Sequence, residues 1–289
     1  MPPTDSFQRF YFEHLGIRGE IVHLEEAWLA IQGASHYPPS VAAPLGEAMA
    51  AVVLLSGTIK FEGSLILQVQ GSGPIKTLVA QATHQRTIRG LAHFEREPSG
   101  AALDQLFGEG RMVITIQNRD LEPYQGIVAL EGASLAEAIE GYFERSEQLP
   151  TRLWLTAHPQ RAGGLFLQAL PGHQRNEDDW NRIHHLAATV TPEELLELPP
   201  EALLFRLFHE ETVRLQDPET VRFRCGCSRN RIESVLVALG PKEVQSLSEQ
   251  DEVISVHCEF CNREYVFDRV DTTGLFLASG GLSPNTTRQ

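Results

Sequence analysis

The chain carries two close pairs of cysteines near its C-terminus, Cys225-Gly226-Cys227 and Cys258-Glu259-Phe260-Cys261. The pairs are separated by 30 residues and include all 4 cysteines of the 289-residue sequence. A spacer can fold back and bring two such pairs together, which is how a chain builds a tetrahedral four-thiolate zinc site. The spacing therefore predicts that one Zn2+ ion is bound by the cysteine cluster, defined as Cys225, Cys227, Cys258 and Cys261.

Other uses of these cysteines fit the sequence less well. A thioredoxin-like Cys-x-x-Cys begins a helix after a strand, whereas Cys258 and Cys261 stand between the strand-like segments Val253–His257 and Tyr265–Phe267. This setting is typical of a zinc ribbon. An iron–sulfur cluster uses the same residue type, but the spacing does not favour it over zinc. His257 could compete for the metal, although a fourth cysteine is already available.

Oxidation offers a use for the metal beyond structure. A single residue separates Cys225 from Cys227, whereas structural knuckles commonly use two or more. Bound thiolates are open to oxidants, and each pair could close into a local disulfide, of which the Cys-x-Cys bridge would be strained and easily reduced again. Basic residues near in sequence could favour thiolate character, namely Arg224, Arg229, Arg231, Lys242 and Arg263. A purely structural zinc is the alternative interpretation.

The C-terminal segment 221–289 is predicted to be a separate zinc domain with a disordered tail, Asn285–Gln289. Its ordered part, Val221–Val270, has only about 50 residues, and units of that size seldom fold on an apolar core alone. Loss of the metal would therefore remove what folds this domain.

The preceding segment 176–220, called here the acidic linker, has 11 acidic and 3 basic residues. Asn176 is a candidate N-cap, and Thr191-Pro192-Glu193-Glu194 has the pattern of a capping box with proline at the first helical position. A further helix is predicted over Glu201–Gln216. The acidic linker is therefore expected to be a solvated set of helices packed on the main domain. The alternative interpretation is a region of low stability, which unfolds readily because its like charges repel one another.

Residues 1–175 are predicted to form a mixed α/β domain of β-hairpins and helices, so the fold class is α+β. The predicted strands are Asp5–Phe12, Leu65–Val69 with Ile75–Ala80, Met112–Gln117 with Gln125–Leu130, and Thr151–Ala157 with Leu165–Ala169, the last pair joined by a Gly163-Gly164 turn. The predicted helices are Val22–Gln32, the almost wholly apolar Pro44–Ser56, and Leu135–Glu147 with Ser134 as its N-cap.

Net charge and hydropathy indicate which classes of partner, such as nucleic acid or a membrane, are to be expected. The net charge of −14 makes nucleic acid an unlikely partner. The apolar run Ala48–Ser56 is shorter than the ~20 residues that span a bilayer. No signal-peptide pattern is visible at the N-terminus. We expect a cytoplasmic protein without membrane contact.

Motifs of common enzymes are missing from the sequence. It has no dinucleotide or Walker loop and no nucleophile elbow. The segment Gly71-Ser72-Gly73-Pro74 is interpreted as a hairpin turn, and His184-His185 as part of a solvated helix face. We therefore predict that the protein is not an enzyme.

The motifs in combination resemble the redox-regulated holdase chaperones of the 33 kDa heat-shock (chaperonin) family, over essentially the whole chain. The C-terminal resemblance rests on Arg224–Ser228, Arg231, Leu239-Gly240, Cys258–Asn262, Tyr265 and Phe267. The N-terminal resemblance rests on Ile17-Arg18-Gly19, Tyr37-Pro38, Leu45-Gly46-Glu47, Ile59–Gly63 and Gln70–Pro74.

This resemblance implies a function. The reduced protein would hold zinc on the cysteine cluster and be inactive. Oxidation would form the disulfides Cys225–Cys227 and Cys258–Cys261, release zinc, and unfold the C-terminal domain and the acidic linker. The active form, a homodimer, would bind unfolding client proteins without ATP.

Client contacts require exposed apolar surface. The candidates are apolar side chains of the acidic linker that unfolding would uncover, such as Leu203, Leu207 and Phe208. A static zinc ribbon, with residues 1–175 binding a fixed partner, is the competing hypothesis. Retention of zinc under mild oxidation would distinguish it.

Overall fold

The computed structural model describes residues 4–119, 121–171, 177–250 and 253–279. The chain divides into two units, Met1–Arg224 and Cys225–Gln289. Two features predicted from the sequence, the Asn176 cap and the tail Asn285–Gln289, lie outside the described residues.

The first unit contains two six-stranded sheets. The first sheet has the order β10-β1-β2-β9-β8, with β11 also paired to β1, and its strands are β1 (Ser6–Phe12), β2 (Ile17–Leu24), β8 (Thr151–Ala157), β9 (Ala162–Ala169), β10 (Val213–Leu215) and β11 (Glu219–Thr220). The second sheet has the order β12-β5-β4-β3-β6-β7, and its strands are β3 (Gly63–Gly71), β4 (Ile75–Thr83), β5 (Thr87–Phe94), β6 (Gly110–Asn118), β7 (Tyr124–Ala129) and β12 (Arg222–Phe223). The predicted α+β fold and the three predicted strand pairs are confirmed.

Helix α2 (Pro39–Thr58) packs against strands of both sheets. It is apolar nearly all round because both of its sides are buried in one core. By length and composition it could cross a membrane, but most of it is buried inside the protein. The predicted helix Pro44–Ser56 is confirmed and extended at both ends.

The remaining helices of the first unit lie at its edges or on its faces. They are α1 (Glu26–Gln32), α3 (Leu103–Phe107), α4 (Leu135–Tyr142), α5 (Glu177–Ala187), α6 (Pro192–Glu197) and α7 (Pro200–Phe208). Ser134 caps α4 as predicted, by accepting a hydrogen bond from the Glu137 N–H, and a π-helical turn, Phe143–Glu147, completes the predicted span.

The predicted helix over Val22–Gln32 is wrong in its first part. Strand β2 continues to Leu24, and α1 begins only at Glu26. The start of α1 is fixed by Asp5, whose carboxylate accepts hydrogen bonds from the N–H groups of Glu25 and Ala27 over 2.7 and 3.1 Å. The capping residue Asp5 immediately precedes β1 and is distant in sequence from α1, so the sequence around α1 does not reveal this cap.

The predicted Gly163-Gly164 turn is also wrong, because both glycines lie inside β9. The chain reverses instead between His158 and Arg161, whose backbone groups exchange hydrogen bonds of 2.7 and 3.2 Å. A Cβ atom on Gly164 would stand 2.8 Å from the Leu54 side chain. Glycine is therefore needed here for close packing of α2 on the first sheet.

The acidic linker is helical only in part. The capping box is confirmed, since Thr191 Oγ1 accepts from the Glu194 N–H and Glu194 Oε2 accepts from the Thr191 N–H. The single helix predicted over Glu201–Gln216 is confirmed as far as Phe208, where α7 ends, and is wrong beyond it, because the chain continues into β10 and β11. Both of these strands pair with β1.

The acidic linker covers the face of the first sheet that points away from α2. Side chains alternate along the strands, so Phe166 packs with α2 while Leu165 and Leu167 point to the opposite side. A second core, called here the outer core, forms between that opposite side and the helices of the linker. Its buried members are Phe10, Phe12, Ile17, Ile21, Leu165, Leu167 and Ala169 from the sheet, with Trp180, Ile183, Ala187, Leu195, Leu203, Leu204, Leu207 and Phe208 from the linker.

The second unit is small and has little apolar core. It contains α8 (Arg229–Leu239), α9 (Pro241–Gln250), the antiparallel hairpin of β13 (Ile254–His257) and β14 (Glu264–Phe267), and α10 (Arg269–Ser279). Among the described residues of this unit, the buried core consists of Leu236, Val244, Ile254, Tyr265 and Phe267. A core of this size needs further cross-links to be stable.

Candidate metal centre

The four predicted ligands come together in the second unit. The Sγ atoms of Cys225, Cys227, Cys258 and Cys261 all lie within 4.8 Å of one another. The Sγ atoms of Cys225 and Cys258 lie 3.6 Å apart, and those of Cys227 and Cys261 lie 3.4 Å apart. Sulfurs bound tetrahedrally at about 2.3 Å from zinc stand about 3.8 Å apart. The cysteine cluster therefore fits a zinc ion with little movement.

The hairpin of β13 and β14 positions the second pair. Cys258 follows β13, and its N–H donates to the Arg263 carbonyl over 2.9 Å. Its own carbonyl accepts from the N–H groups of Cys261 and Asn262. Asn262 has a φ of 54°, the left-handed conformation that asparagine tolerates well. This tight turn points both thiols to the same side.

The first pair is held by the start of α8. Ser228 caps that helix by accepting a hydrogen bond from the Arg231 N–H. The Arg231 guanidinium reaches back and donates to the Gly226 carbonyl over 2.6 Å. A Cβ atom at Gly226 would stand 2.9 Å from that guanidinium. Glycine between the two cysteines therefore leaves space for the arginine that fixes their turn.

The Tyr265 hydroxyl donates a hydrogen bond to Cys227 Sγ over 3.1 Å. Burial raises the pKa of Cys227, but the hydrogen bonds from Tyr265 and the neighbouring thiols outweigh it and lower that pKa to about 7. Burial raises the pKa of Cys225, and it raises the pKa of Cys261 to about 12. The Cys227 sulfur is thus prepared as a thiolate, while the raised pKa values of Cys225 and Cys261 mean that a bound cation would have to displace their protons.

The basic residues near the cluster take different roles. Arg229 pairs with Glu233 and Asp271 over 3.2 and 2.7 Å, and it stacks over the Phe267 ring. The Tyr265 hydroxyl raises the pKa of the Arg263 guanidinium, and the nearby Cys227 and Cys261 raise that pKa further. Arg263 therefore lies close to the cysteine cluster, beside Tyr265.

The role of Tyr265 as a partner of Cys227 was not predicted from the sequence. The signal was the alternation of Tyr265 and Phe267 on β14, which turns both side chains to the interior beside the Cys-x-x-Cys turn. A tyrosine hydroxyl turned to the interior needs a hydrogen-bond partner, and the Cys227 thiol supplies one.

His257, considered as an alternative ligand, and the helical pair His184-His185 lie outside the cysteine cluster. His257 is exposed, and its Nε2 lies 3.9 Å from Glu264 Oε1 rather than within the group of four sulfurs. His184 and His185 are on α5, where the His184 ring packs beside Trp154 with centroids 6.1 Å apart. Burial lowers the pKa of His184. His184 is therefore half-buried beside Trp154, while His185 is exposed on the helix surface, as predicted for a solvated helix face.

The sequence model of the Hsp33 protein family matches residues 5–268 of this chain. The chain belongs to the Hsp33 family. A 33 kDa chaperonin of Nitrosococcus oceani is 56% identical over 288 residues and covers 100% of both chains. The 33 kDa chaperonin of Pseudomonas paraeruginosa is 44% identical over 296 residues, again with 100% of both covered.

A solved structure has the same fold. The crystal structure of the Thermotoga maritima 33 kDa chaperonin superposes with a TM-score of 0.82 at 22% identity, covering 95% of this chain and 99% of that one. Membership of the Hsp33 family makes this chain a chaperone, and the geometry of the cysteine cluster is compatible with a redox-regulated zinc site.

Proposed function

We propose that this protein is a redox-regulated, ATP-independent holdase. The reduced, zinc-bound form is inactive, and oxidation uncovers a surface that binds unfolding proteins. The observation that carries the proposal is the outer core, in which the acidic linker buries an apolar sheet face shortly before the chain reaches Cys225. A chaperone needs such a face, and here it is covered by a segment of unfavourable charge.

The sensor is the cysteine cluster. When bound, Zn2+ keeps the four thiols deprotonated and close together. Each disulfide forms as two sulfurs lose two electrons to an oxidant such as hydrogen peroxide, which is reduced to water. Sulfurs bonded in pairs no longer hold the cation. The expected pairs are Cys225–Cys227 and Cys258–Cys261.

In the folded cluster, cysteines of different pairs are close together, since the Sγ atoms of Cys225 and Cys258 are 3.6 Å apart and those of Cys227 and Cys261 are 3.4 Å apart. Local pairing is nevertheless favoured once the unit loosens, since one or two intervening residues make the loop-closure entropy small. Closure of the local bridges therefore accompanies loosening of the second unit.

Loss of the metal unfolds the second unit, because its apolar core is too small to stand alone. The acidic linker then loses the folded unit that follows it in the chain. Its mutual charge repulsion favours release, and its packing on the first sheet opposes release. A raised temperature shifts this equilibrium towards release of the acidic linker.

Release of the acidic linker exposes two apolar surfaces. One is the sheet side of the outer core, with Phe10, Phe12 and Ile21. The other is the linker side, with the predicted client residues Leu203, Leu207 and Phe208, all buried in the covered state. Both surfaces are of the kind that binds non-native chains. We further propose a cytoplasmic location, a homodimer when oxidised, and no nucleic-acid or membrane partner.

The test measures zinc release and holdase activity together. The reduced chain is treated with peroxide at a raised temperature, zinc is followed with a chromogenic chelator, and light scattering follows a chemically unfolded client. We expect zinc to leave and only the oxidised chain to suppress aggregation. Peptide mapping should then show the two local disulfides.

Two controls sharpen this experiment. Reduction of the oxidised chain, with zinc returned, should abolish the holdase activity. Retention of zinc, or release without any gain of activity, would show that the metal is static and would overturn the proposal.

A further inference from the structure

The outer edge of β1 is occupied by the protein's own acidic linker. On one side β1 pairs with β2, and on the other it pairs with β10 and β11. The Gln216 N–H donates to the Arg9 carbonyl over 2.8 Å, and the Val221 N–H donates to the Asp5 carbonyl over 3.1 Å. The segment Thr212–Val221, called here the edge segment, therefore closes the sheet along the length of β1.

The register of the edge segment defines a pattern of side chains. Val213 stands opposite Phe12 and Leu215 opposite Phe10, and both pack on the outer core. The pairing then shifts by one residue, so that Glu219 stands opposite Phe7 on the other side of the sheet. The edge of β1 therefore pairs with a segment that has two apolar residues at alternate positions and an acidic residue after them.

The acid is recognised by two arginines. Arg9 Nη1 donates to Glu219 Oε1 over 2.7 Å, and Arg86 Nε donates to Oε2 over 2.8 Å. Both guanidinium groups lie against the Phe7 ring, with Cζ 4.9 and 4.0 Å from its centroid. The aromatic contact fixes the two donors, so that each holds a different carboxylate oxygen.

The charged groups around Arg9 and Arg86 make an anion favourable at the position of the Glu219 carboxylate. Glu20 is fully buried, and neither of its oxygens has a hydrogen-bond partner among the described residues. Its charged neighbours are Arg9, Arg18, Arg86 and Glu219. Departure of Glu219 would leave three guanidinium groups facing one carboxylate. The edge segment's acid therefore leaves behind an electropositive position that favours another carboxylate.

We propose that the released edge of β1 binds client polypeptides by strand addition. The occupant is an extended stretch of non-native chain with apolar residues at alternate positions and a glutamate or aspartate beyond them. Backbone hydrogen bonds supply affinity that is largely independent of sequence, and the Arg9–Arg86 pair selects the acid. This inference rests on the proposed function, because the edge opens only when the acidic linker leaves.

The test uses a labelled peptide with the sequence of Glu211–Arg222 and the full-length chain in both redox states. Fluorescence anisotropy should show binding to the oxidised chain, while the reduced zinc-bound chain leaves the peptide free. N-methylation of the residue corresponding to Gln216 removes a hydrogen bond to Arg9 and should weaken binding about tenfold.

Two further peptides complete the comparison. N-methylation at the position of Leu215 is the matched control, since neighbouring N–H groups point to opposite sides of a strand, and binding should stay within about twofold. The peptide with Glu219→Gln should bind about tenfold more weakly, because the charge-assisted bonds to both arginines are lost.

Several results would overturn the inference. Equal binding of the two N-methylated peptides would exclude strand addition, even where light scattering shows an active holdase, and the proposed function would then stand alone. Loss of peptide binding as the protein concentration rises would assign the edge to a second copy of this chain. An oxidised chain without holdase activity would overturn the proposed function, and the inference with it.

Discussion

The Tyr265 hydroxyl and Cys227 Sγ are joined by a hydrogen bond of 3.1 Å. The tyrosine ring is at the same time part of the buried core of the second unit. Tyr265 therefore connects the apolar core of this unit to Cys227, the cysteine whose pKa is lowered. Partners of this kind orient metal ligands and tune their affinity.

Replacement of Tyr265 by phenylalanine should weaken zinc binding while preserving the core. The aromatic ring remains, but the hydrogen-bond donor to Cys227 is lost. Loss of a hydrogen-bond partner of a metal ligand typically lowers the metal affinity by about 10–100-fold. Competition with a chelator measures the effect. Tyr142→Phe is the control, because its hydroxyl lies near Tyr124 in the first unit. Equal zinc affinities of the two variants would contradict this prediction.

Removal of zinc from the reduced chain should unfold the second unit and leave the core around α2 in the first unit folded. A bound metal would stabilise the second unit, whose apolar core is small. Hydrogen exchange followed by mass spectrometry should show loss of protection in β13 and β14, and continued protection in α2. Returning zinc under reducing conditions should restore the protection. Protection of β13 and β14 in the chelated chain would argue against this outcome.

Truncation of Phe208 should loosen the acidic linker without any oxidant. Its ring packs edge-on against Phe12, with centroids 4.9 Å apart, and it is 2% exposed. Phe208→Ala should cost about 3–5 kcal/mol of packing and should raise the binding of an apolar dye at lower temperature. Phe205 on the same helix is 72% exposed, so Phe205→Ala is the matched control and should change little. Similar dye binding by both variants would contradict the role of the outer core.

The pH dependence of the free energy of unfolding should show the effect of ionising Glu47 on α2. Burial raises the pKa of its carboxyl from 4.5 to about 7. Between these values the folded chain holds a proton that the unfolded chain has lost, so this group's contribution to the free energy of unfolding falls as the pH rises. Glu47→Gln cannot ionise, and its stability relative to the natural chain should therefore increase across this window, by at most about 3 kcal/mol.

Urea unfolding at a series of pH values measures this difference. Tryptophan fluorescence reports on the first unit alone, because Trp28, Trp154 and Trp180 all belong to it. Below pH 4.5 the difference between the two chains should be constant, and above pH 7 it should be constant again. A difference that does not change with pH would show that Glu47 ionises normally in the folded chain.

Local patterns in the sequence predicted the cysteine cluster and much of the fold. Cysteine spacing, the capping box at Thr191 and the alternation in β3 are properties of neighbouring residues, so the physical rules that govern them can be read directly. The structure agrees at each of these positions. The chemistry of four thiols with this spacing is also nearly unique, which made the candidate site the most predictable part of the chain.

Contacts between distant residues explain the incorrect predictions. Asp5, which precedes β1, caps α1, and Gly164 makes room for Leu54 rather than for a turn. The stretch after Phe208 has apolar residues at helical spacing, yet pairing with β1 draws it into strands. The position of Tyr265 beside Cys227 likewise depends on how the hairpin folds over the first pair. None of these partners is near in sequence.

The pairing of β1 with the edge segment also affects synthesis of the protein. Arg9 and Glu219, which form one of these contacts, are 210 residues apart in the chain. At about 5–20 residues per second, a ribosome takes roughly 10–40 s to make the second residue after the first. Throughout that time the nascent chain presents β1 without its final partner. The growing protein therefore passes through an open-edged form resembling the one that oxidation would produce, and nascent chains on the same messenger RNA are the first to be exposed to it.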